Sequence, residues 1–264
     1  MDGHEIEQWR RAAAGGGVLL DGFHALKHAL RFGADVTVVL TGSRAALAAL
    51  AEGLAPDVAE RIDACAVEVP TAVLKELVPR IHPTGVAALA VRPDRADQLA
   101  ALARTPRRAP VVVLDNPRNL GNIGAVVRLA AGFGATGVVT TGDADPWHPT
   151  VVRAGAGLHF ATAVGQLTVD QLPGDAPLFA LDPDGEDIHG LTFPDDALLA
   201  FGSERHGLSA ELRARATRLV AIPMRPQVSS FNLATSVGMG LFHWQAGRSQ
   251  ATAMPNSRSR PAIS

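Results

Sequence analysis

The sequence predicts an α/β protein: a small N-terminal α/β domain followed by a larger domain built on a mostly parallel sheet. Three observations carry this. Short β-branched apolar runs alternate with helical periodicity along most of the chain. After Pro110 those runs are short, mostly apolar and separated by helices, as strands covered on both faces are. A stretch rich in proline and arginine, residues 92–118, separates the two series. The chain has 264 residues, 47% apolar and 19% charged, which is enough core for one large or two modest domains and excludes wholesale disorder.

Taken in order, residues 1–14 are polar and read as frayed, and Gly15-Gly16-Gly17 completes a flexible N-terminus, residues 1–17. Phe23, Leu26, Ala29 and Leu30 recur at helical spacing over residues 21–32. Residues 36–40 read as a buried strand, 43–54 as an Ala/Leu-rich helix, 66–69 as a strand, 71–78 as a short helix and 85–91 as a strand. The first domain is therefore placed at residues 18–104, with the boundary near 104–109. Beyond it, strands are expected at 111–114, 137–141, 178–181, 197–201 and 218–222, with helices at 122–131, 150–156, 210–216 and 230–244. Residues 105–245 form the second domain, and 246–264 read as a disordered tail.

Charge and composition exclude several function classes. The formal net charge is −2, so the chain is not held to nucleic acid by bulk charge. Within residues 92–118, however, Arg92, Arg95, Arg104, Arg107, Arg108 and Arg118 outnumber Asp94, Asp97 and Asp115, which suits a phosphate-bearing partner. Cys65 is the single cysteine and reads as a buried thiol, excluding an intramolecular disulfide or a thiolate metal cluster. His24 and His28 sit four apart without a carboxylate partner, so no metal site is expected. The start Met1-Asp2-Gly3-His4-Glu5 has no basic or apolar leader, and no run reaches membrane-spanning length. A soluble cytoplasmic protein is the expectation.

Ligands of open α/β sheets gather beyond the carboxyl ends of the strands, and three such ends carry unusual turns. The first runs from Asp115 through Asn119-Leu120-Gly121-Asn122-Ile123-Gly124 to Arg128. Asn122 reads as the helix N-cap. Ile123, Val126, Val127 and Ala130 then form the buried stripe, and Arg128 projects nearly opposite it. Gly121 and Gly124 lie beneath Arg128 and leave bare surface for a bulky substrate. The second turn, Gly202-Ser203-Glu204-Arg205-His206-Gly207-Leu208-Ser209, breaks a strand at Gly202 and presents a lone carboxylate; Gly207 permits positive φ and Ser209 caps the next helix. In the third, Pro223 and Pro226 stiffen a loop from Ile222-Pro223-Met224 to Ser229-Ser230-Phe231-Asn232. Capping explains Ser230 there but leaves Asn232 unexplained. The helix that follows is expected to pack closely through Ala234, Val237, Gly238 and Leu241.

Together, in this order, the three turns resemble the signature motifs of the SpoU/TrmH branch of the SPOUT RNA methyltransferases. Asn119 to Arg128 matches Asn-x-Gly-Asn-x-Gly-Ala-x-x-Arg at every fixed position, and Gly202 to Leu208 matches Gly-x-Glu-x-x-Gly-Leu. Ile222-Pro223-Met224 with Ser230-Phe231-Asn232 matches the third motif, departing only at Phe231, where the family has leucine. Asp21 to Leu26 and His82 to Val86 resemble the ribosomal-protein-like RNA substrate-binding domain that many members carry.

The resemblance implies a ribose 2′-O-methyltransferase that uses S-adenosylmethionine, a C-terminal trefoil knot and a homodimer. It implies cofactor contacts at Gly202, Ile222 and Phe231, the last through backbone, with Leu208, Pro223 and Met224 lining the pocket. Arg128 would be the catalytic arginine, surrounded by Asn119, Glu204, Ser230 and Asn232. An RNA partner follows, and the separate N-terminal domain favours ribosomal over transfer RNA by analogy. A nicotinamide dehydrogenase is the first rival, prompted by Gly121-Asn122-Ile123-Gly124, but that segment lacks the Gly-x-Gly-x-x-Gly spacing and lies mid-chain. The second rival is a non-catalytic RNA-binding assembly factor on the same scaffold, against which the intact Arg128, Glu204 and Asn232 argue.

Overall fold

The computed structural model describes residues 3–253. Helix α1 (His4–Ala14) opens the chain, where frayed residues were expected. Its polar composition conceals an apolar edge: Trp9 is buried, and the Gln8 side chain donates to the Thr37 carbonyl at 2.8 Å. Strands β1 (Val18–Asp21), β2 (Val36–Thr41), β3 (Ala66–Glu68) and β4 (Val86–Ala90) form the first sheet in the order β1-β4-β2-β3. β4 runs antiparallel to both its neighbours, and β2 pairs parallel with β3. Helices α2 (Phe23–Arg31), α3 (Arg44–Leu54), α4 (Ala59–Cys65) and α5 (Thr71–Leu77) connect and cover these strands. Cys65 ends α4 half-buried, its thiol donating to the Arg61 carbonyl.

Six strands form the second sheet: β5 (Val111–Leu114), β6 (Gly137–Thr140), β7 (Ala163–Gln166), β8 (Leu178–Asp187), β9 (Leu198–Phe201) and β10 (Arg218–Ala221). Every pairing is parallel, in the order β10-β8-β9-β5-β6-β7. β7 escaped the sequence reading because Ala163-Val164-Gly165-Gln166 has little β-branched character. Helix α6 (Arg95–Ala103) precedes the expected boundary yet packs on this second sheet. Leu99 and Leu102 fill the space that Gly137 and Gly165 leave open. Arg107 is buried and donates to the Asp196 carbonyl, so one of the linker arginines is a structural tether.

Helix α7 (Leu120–Phe133) follows β5, and α8 (Pro149–Ala154) follows β6; α9 (Ala210–Arg215) and α10 (Leu233–Ala253) complete the fold. α10 carries helix through residues 246–253, where a disordered tail was expected, and residues 254–264 lie outside the described ones. Val237 and Leu241 of α10 are fully buried, and Gly238 rests on Leu129 of α7, the close approach its small residues suggested.

The two sheets are not independent bodies. One apolar cluster runs from Leu20, Phe23 and Leu26 through Ile123, Val127 and Val151 to Leu241 and Trp244. Gly157, with φ of 72°, lies so close to Ala25 that a β-carbon there would sit 2.5 Å from the Ala25 carbonyl oxygen. Arg153 of α8 also meets the buried Asp21 carboxylate of β1 across this seam. No helix among the described residues is long and apolar enough to cross a membrane.

Candidate active site

Strands β5 and β9 end in register at Leu114 and Phe201, opposite Leu181 of β8; the first turn leaves β5, the second leaves β9, and the third leaves β10, which pairs with β8. After Phe201 the backbone closes on itself: Ser203 and Gly207 exchange backbone hydrogen bonds of 2.9 and 3.0 Å. Gly207 holds φ of 63°. A β-carbon on Gly202 would stand 2.2 Å from the Gly207 carbonyl carbon, so glycine is required at that crossing. The turn is tied from beneath by the buried Asp115, which accepts from the Ser209 N–H at 2.6 Å and the Thr141 hydroxyl at 2.9 Å. Glu204 projects from its tip.

Asn119, not Asn122, caps α7, accepting from the Gly121 and Asn122 amides at 2.9 and 3.1 Å. The Asn122 side chain is therefore free to bridge. It donates to Glu204 Oε1 at 2.8 Å and accepts from Asn232 Nδ2 at 3.2 Å. Asn232 in turn caps α10 through the Ala234 and Thr235 amides, which corrects the assignment of the cap to Ser230. All three turns thus meet in one chain of hydrogen bonds, Glu204–Asn122–Asn232. Burial alone would raise the Glu204 carboxyl; hydrogen bonds from Asn122, its own backbone, Arg118 and Asn119 outweigh burial and hold it below the ordinary value.

Beside this chain opens a cleft of about 600 Å³. Gly202, Glu204, Ile222, Met224, Ser230, Phe231 and Asn232 line it, as the sequence motifs suggested. Leu181, Asp182 and Pro183 also line it, which sequence reading missed. Their signal was a glycine: Gly185 has no room for a β-carbon against Val220, and β8 shifts register against β10 between Ala180 and Glu186, leaving residues 181–185 without β10 partners. Asn122 was missed too, because its cap-like position absorbed it.

Besides Asn119, which caps α7 without lining the cleft, three expected site residues stand outside it. Leu208 packs at the margin of the apolar cluster around Val111 and Leu198, and Pro223 is exposed outside the cleft. Arg128 is exposed, in the third turn of α7, and does not line the cleft. Its electrostatic neighbours are His24 and Lys27 of α2. Nor is the glycine beneath it bare. A β-carbon on Gly124 would lie 2.4 Å from the Val151 carbonyl oxygen, so this glycine serves the crossing of α7 and α8.

Comparison with known proteins decides what these turns belong to. Residues 109–242, half of the chain, match the family model described as the SpoU rRNA Methylase family. The chain belongs to the SpoU rRNA methylase family. Membership makes it an RNA methyltransferase with S-adenosylmethionine as methyl donor. An uncharacterized tRNA/rRNA methyltransferase of Synechocystis is 30% identical over 90% of this SpoU chain and 87% of its own length. A 23S rRNA (adenosine(1067)-2′-O)-methyltransferase of Streptomyces laurentii is 35% identical over 52% of this chain and 54% of its own. Among solved structures, the SpoU methyltransferase AviRb of Streptomyces viridochromogenes superposes with a TM-score of 0.73, covering 94% of this chain and 98% of that one at 23% identity. It has also been crystallised with AdoMet.

The cleft fits such a cofactor on chemical grounds. Its volume suits a nucleoside-sized ligand. Phe201, Ile222, Met224 and Phe231 offer apolar walls for a base, Glu204 offers negative charge to a sulfonium or an ammonium, and the 202–207 turn exposes backbone groups, while Asp182 in the wall is paired with Arg213. Among the described residues no group of three His, Cys, Asp or Glu could hold a metal ion.

Proposed function

We propose that this SpoU protein methylates a ribose 2′-hydroxyl of ribosomal RNA, in the cytoplasm, as a homodimer with the C-terminal trefoil knot of its family. The observation that supports this best is the Glu204–Asn122–Asn232 chain at the mouth of the cleft, because it joins all three motif turns at one point. Gly202, Ile222 and Phe231 would hold the cofactor, with Met224 in the wall. When bound, it supplies an electrophilic methyl group on a sulfonium.

The chain's own residues have two tasks. One is alignment of a sugar hydroxyl with that methyl group, for which good positioning lowers a barrier by about 7–11 kcal/mol. Asn119, Asn122, Ser230 and Asn232 surround the place where a ribose would lie. The other is charge. A guanidinium stays protonated at neutral pH and is no base there; Arg128 clamps a substrate phosphate and stabilises negative charge developing on the oxygen. Since Arg128 does not line the cleft of its own chain, it acts in the cleft of a second copy.

Mapping ribose methylation in total RNA from cells with and without the protein tests the reading. One lost 2′-O-methyl position in ribosomal RNA is the expected result. A lost position in transfer RNA would correct the substrate, and no lost position would favour a non-catalytic assembly factor. Replacing the target nucleotide by its 2′-deoxy form should abolish turnover while leaving binding intact.

A further inference from the structure

The arginine of the first motif has cationic company from the other domain. α7 and α2 both pack on residues 149–157: Gly124 lies against Val151, Ala154 and Gly155, and Ala25 lies against Gly157. His28 adds a hydrogen bond from Nδ1 to the Ala156 carbonyl at 2.8 Å. This common support brings Arg128 beside α2, where it acts electrostatically on both His24 and Lys27.

His82 joins them with a fixed tautomer. Its ring lies against Gly22, and its Nδ1 accepts from the Thr84 N–H at 3.2 Å and faces the Thr84 hydroxyl at 2.8 Å. The Thr84 oxygen accepts in turn from the Phe23 N–H at 3.1 Å. With Nδ1 occupied as an acceptor, the neutral ring carries its proton on Nε2 as a donor. Lys27 extends along the Phe23 ring, with Nζ 6.0 Å from the ring centre. The nearby acids are already taken: Asp21 by Arg153 and Asp57 by Arg31. Among the described residues neither Arg128 nor Lys27 has an ion pair.

Cations and proton donors from two domains, rigidly set and without a balancing carboxylate, make a receptor for a polyanion. We infer that His24, Lys27 and His82 of the first domain join Arg128 of the second to clamp one stretch of RNA backbone phosphate across the seam. The inference rests on the methyltransferase reading and extends it by saying which residues of the first domain hold the strand. RNA is favoured over an acidic protein segment because Arg128 belongs to the methyltransferase motif, so phosphates near the target sugar are the anions that reach it. His24 titrates below its ordinary value, chiefly through burial and then through Lys27, Arg128 and His82. A phosphate opposes the charge effects, so binding takes up a proton and tightens on acidification.

The test uses the full chain with total ribosomal RNA as probe, measured by filter binding over a series of salt concentrations. Lys27→Gln, alone and combined with His24→Gln, changes side chains at the surface, and affinity for S-adenosylmethionine measured on the same samples checks the fold. Lys27→Gln is expected to weaken RNA binding about 3–10-fold and to flatten the slope of log K against log salt by about 0.7–0.9, one phosphate contact. The double variant should also lose the tightening at lower pH, with cofactor affinity unchanged. Unaltered RNA affinity and slope in the variants, with the wild type binding well, would overturn the clamp and leave the methyltransferase reading standing. Competition by polyglutamate as effective as by RNA would also overturn it. A wild-type protein that binds no RNA would overturn both.

Discussion

Asn122 spends one amide group in two directions, on the Glu204 carboxylate and on the Asn232 amide, while Asn119 carries the helix cap. Asn122→Ala therefore removes the bridge without removing the cap. A hydrogen bond to a charged group contributes about 1.5–3 kcal/mol, so if the bridge holds the reacting geometry kcat/KM is expected to fall about 10–100-fold. Asn122→Asp, which sets a second negative charge against Glu204, should fall further. Steady-state kinetics on both variants decide whether the bridge serves the reaction; wild-type rates would remove it from the site. The same bond has a pH signature. The Glu204 value is lowered on folding, so its contribution to stability is complete above its ordinary 4.5 and is lost as pH falls through the lowered folded value. Urea midpoints on either side of pH 4.5 should diverge less in Asn122→Ala than in the wild type. Sequence reading found Asn119, Glu204 and Asn232 because the motifs mark them. It could not tell which asparagine caps and which bridges, since both uses place the same amide within a turn of a helix start.

At the level of elements, glycine decides how helices cross. Gly124 has the Val151 carbonyl, the Ala154 β-carbon and the Gly155 amide within 2.8 Å of where its own β-carbon would be, and backbone atoms cannot step aside. Gly124→Ala should overpack the α7–α8 crossing at a cost of about 1–3 kcal/mol, lowering Tm by roughly 2–10 °C in a chain of this size. Gly121→Ala meets only the Asn119 side-chain oxygen at 3.1 Å and should cost less. Thermal melts of the pair separate a packing glycine from one kept open for substrate. The segment after α8 adds a buried histidine. Burial drives His159 down to about 4, and its Nε2–H donates to the Pro146 carbonyl at 2.9 Å. The folded ring stays neutral while the unfolded one titrates at its ordinary 6.5, so stability is full above pH 6.5 and drains away as pH falls toward 4. His159→Asn should flatten that part of the Tm profile, whatever it costs at neutral pH. The alternation of strands and helices was readable because apolar runs and helical periodicity survive in a single sequence. α1 and β7 were not, the first hidden by polar residues around one buried tryptophan, the second by small residues that pair without β-branching.

For the molecule as a whole, the question is where Arg128 works. Arg128, on α7, and the cleft belong to the same domain and share its core, so movement of one domain on the other is not available to carry Arg128 into the cleft of its own chain. A second copy is. α10 offers a face for it: Leu241 and Trp244 are 0% and 2% exposed on its core side, yet Phe242 is 64% exposed and Phe231, just before the helix, 40%. The resemblance implied a homodimer, but the place of Arg128 outside its own cleft was not legible, because an arginine at the right motif position says nothing about which chain's cleft it enters. If the proposed homodimer forms through this face, Phe242→Glu should weaken it and lower methyl transfer together, with sedimentation equilibrium reporting the mass. Complementation asks the sharper question. Arg128→Ala and Glu204→Gln chains are each expected to be nearly inactive alone. If Arg128 acts across the two-fold axis, a mixed dimer contains one site with both residues intact, so random equal mixing should restore about one quarter of wild-type activity. If Arg128 acts within its own chain, every site in the mixture lacks one residue, and activity stays at the level of the separate variants.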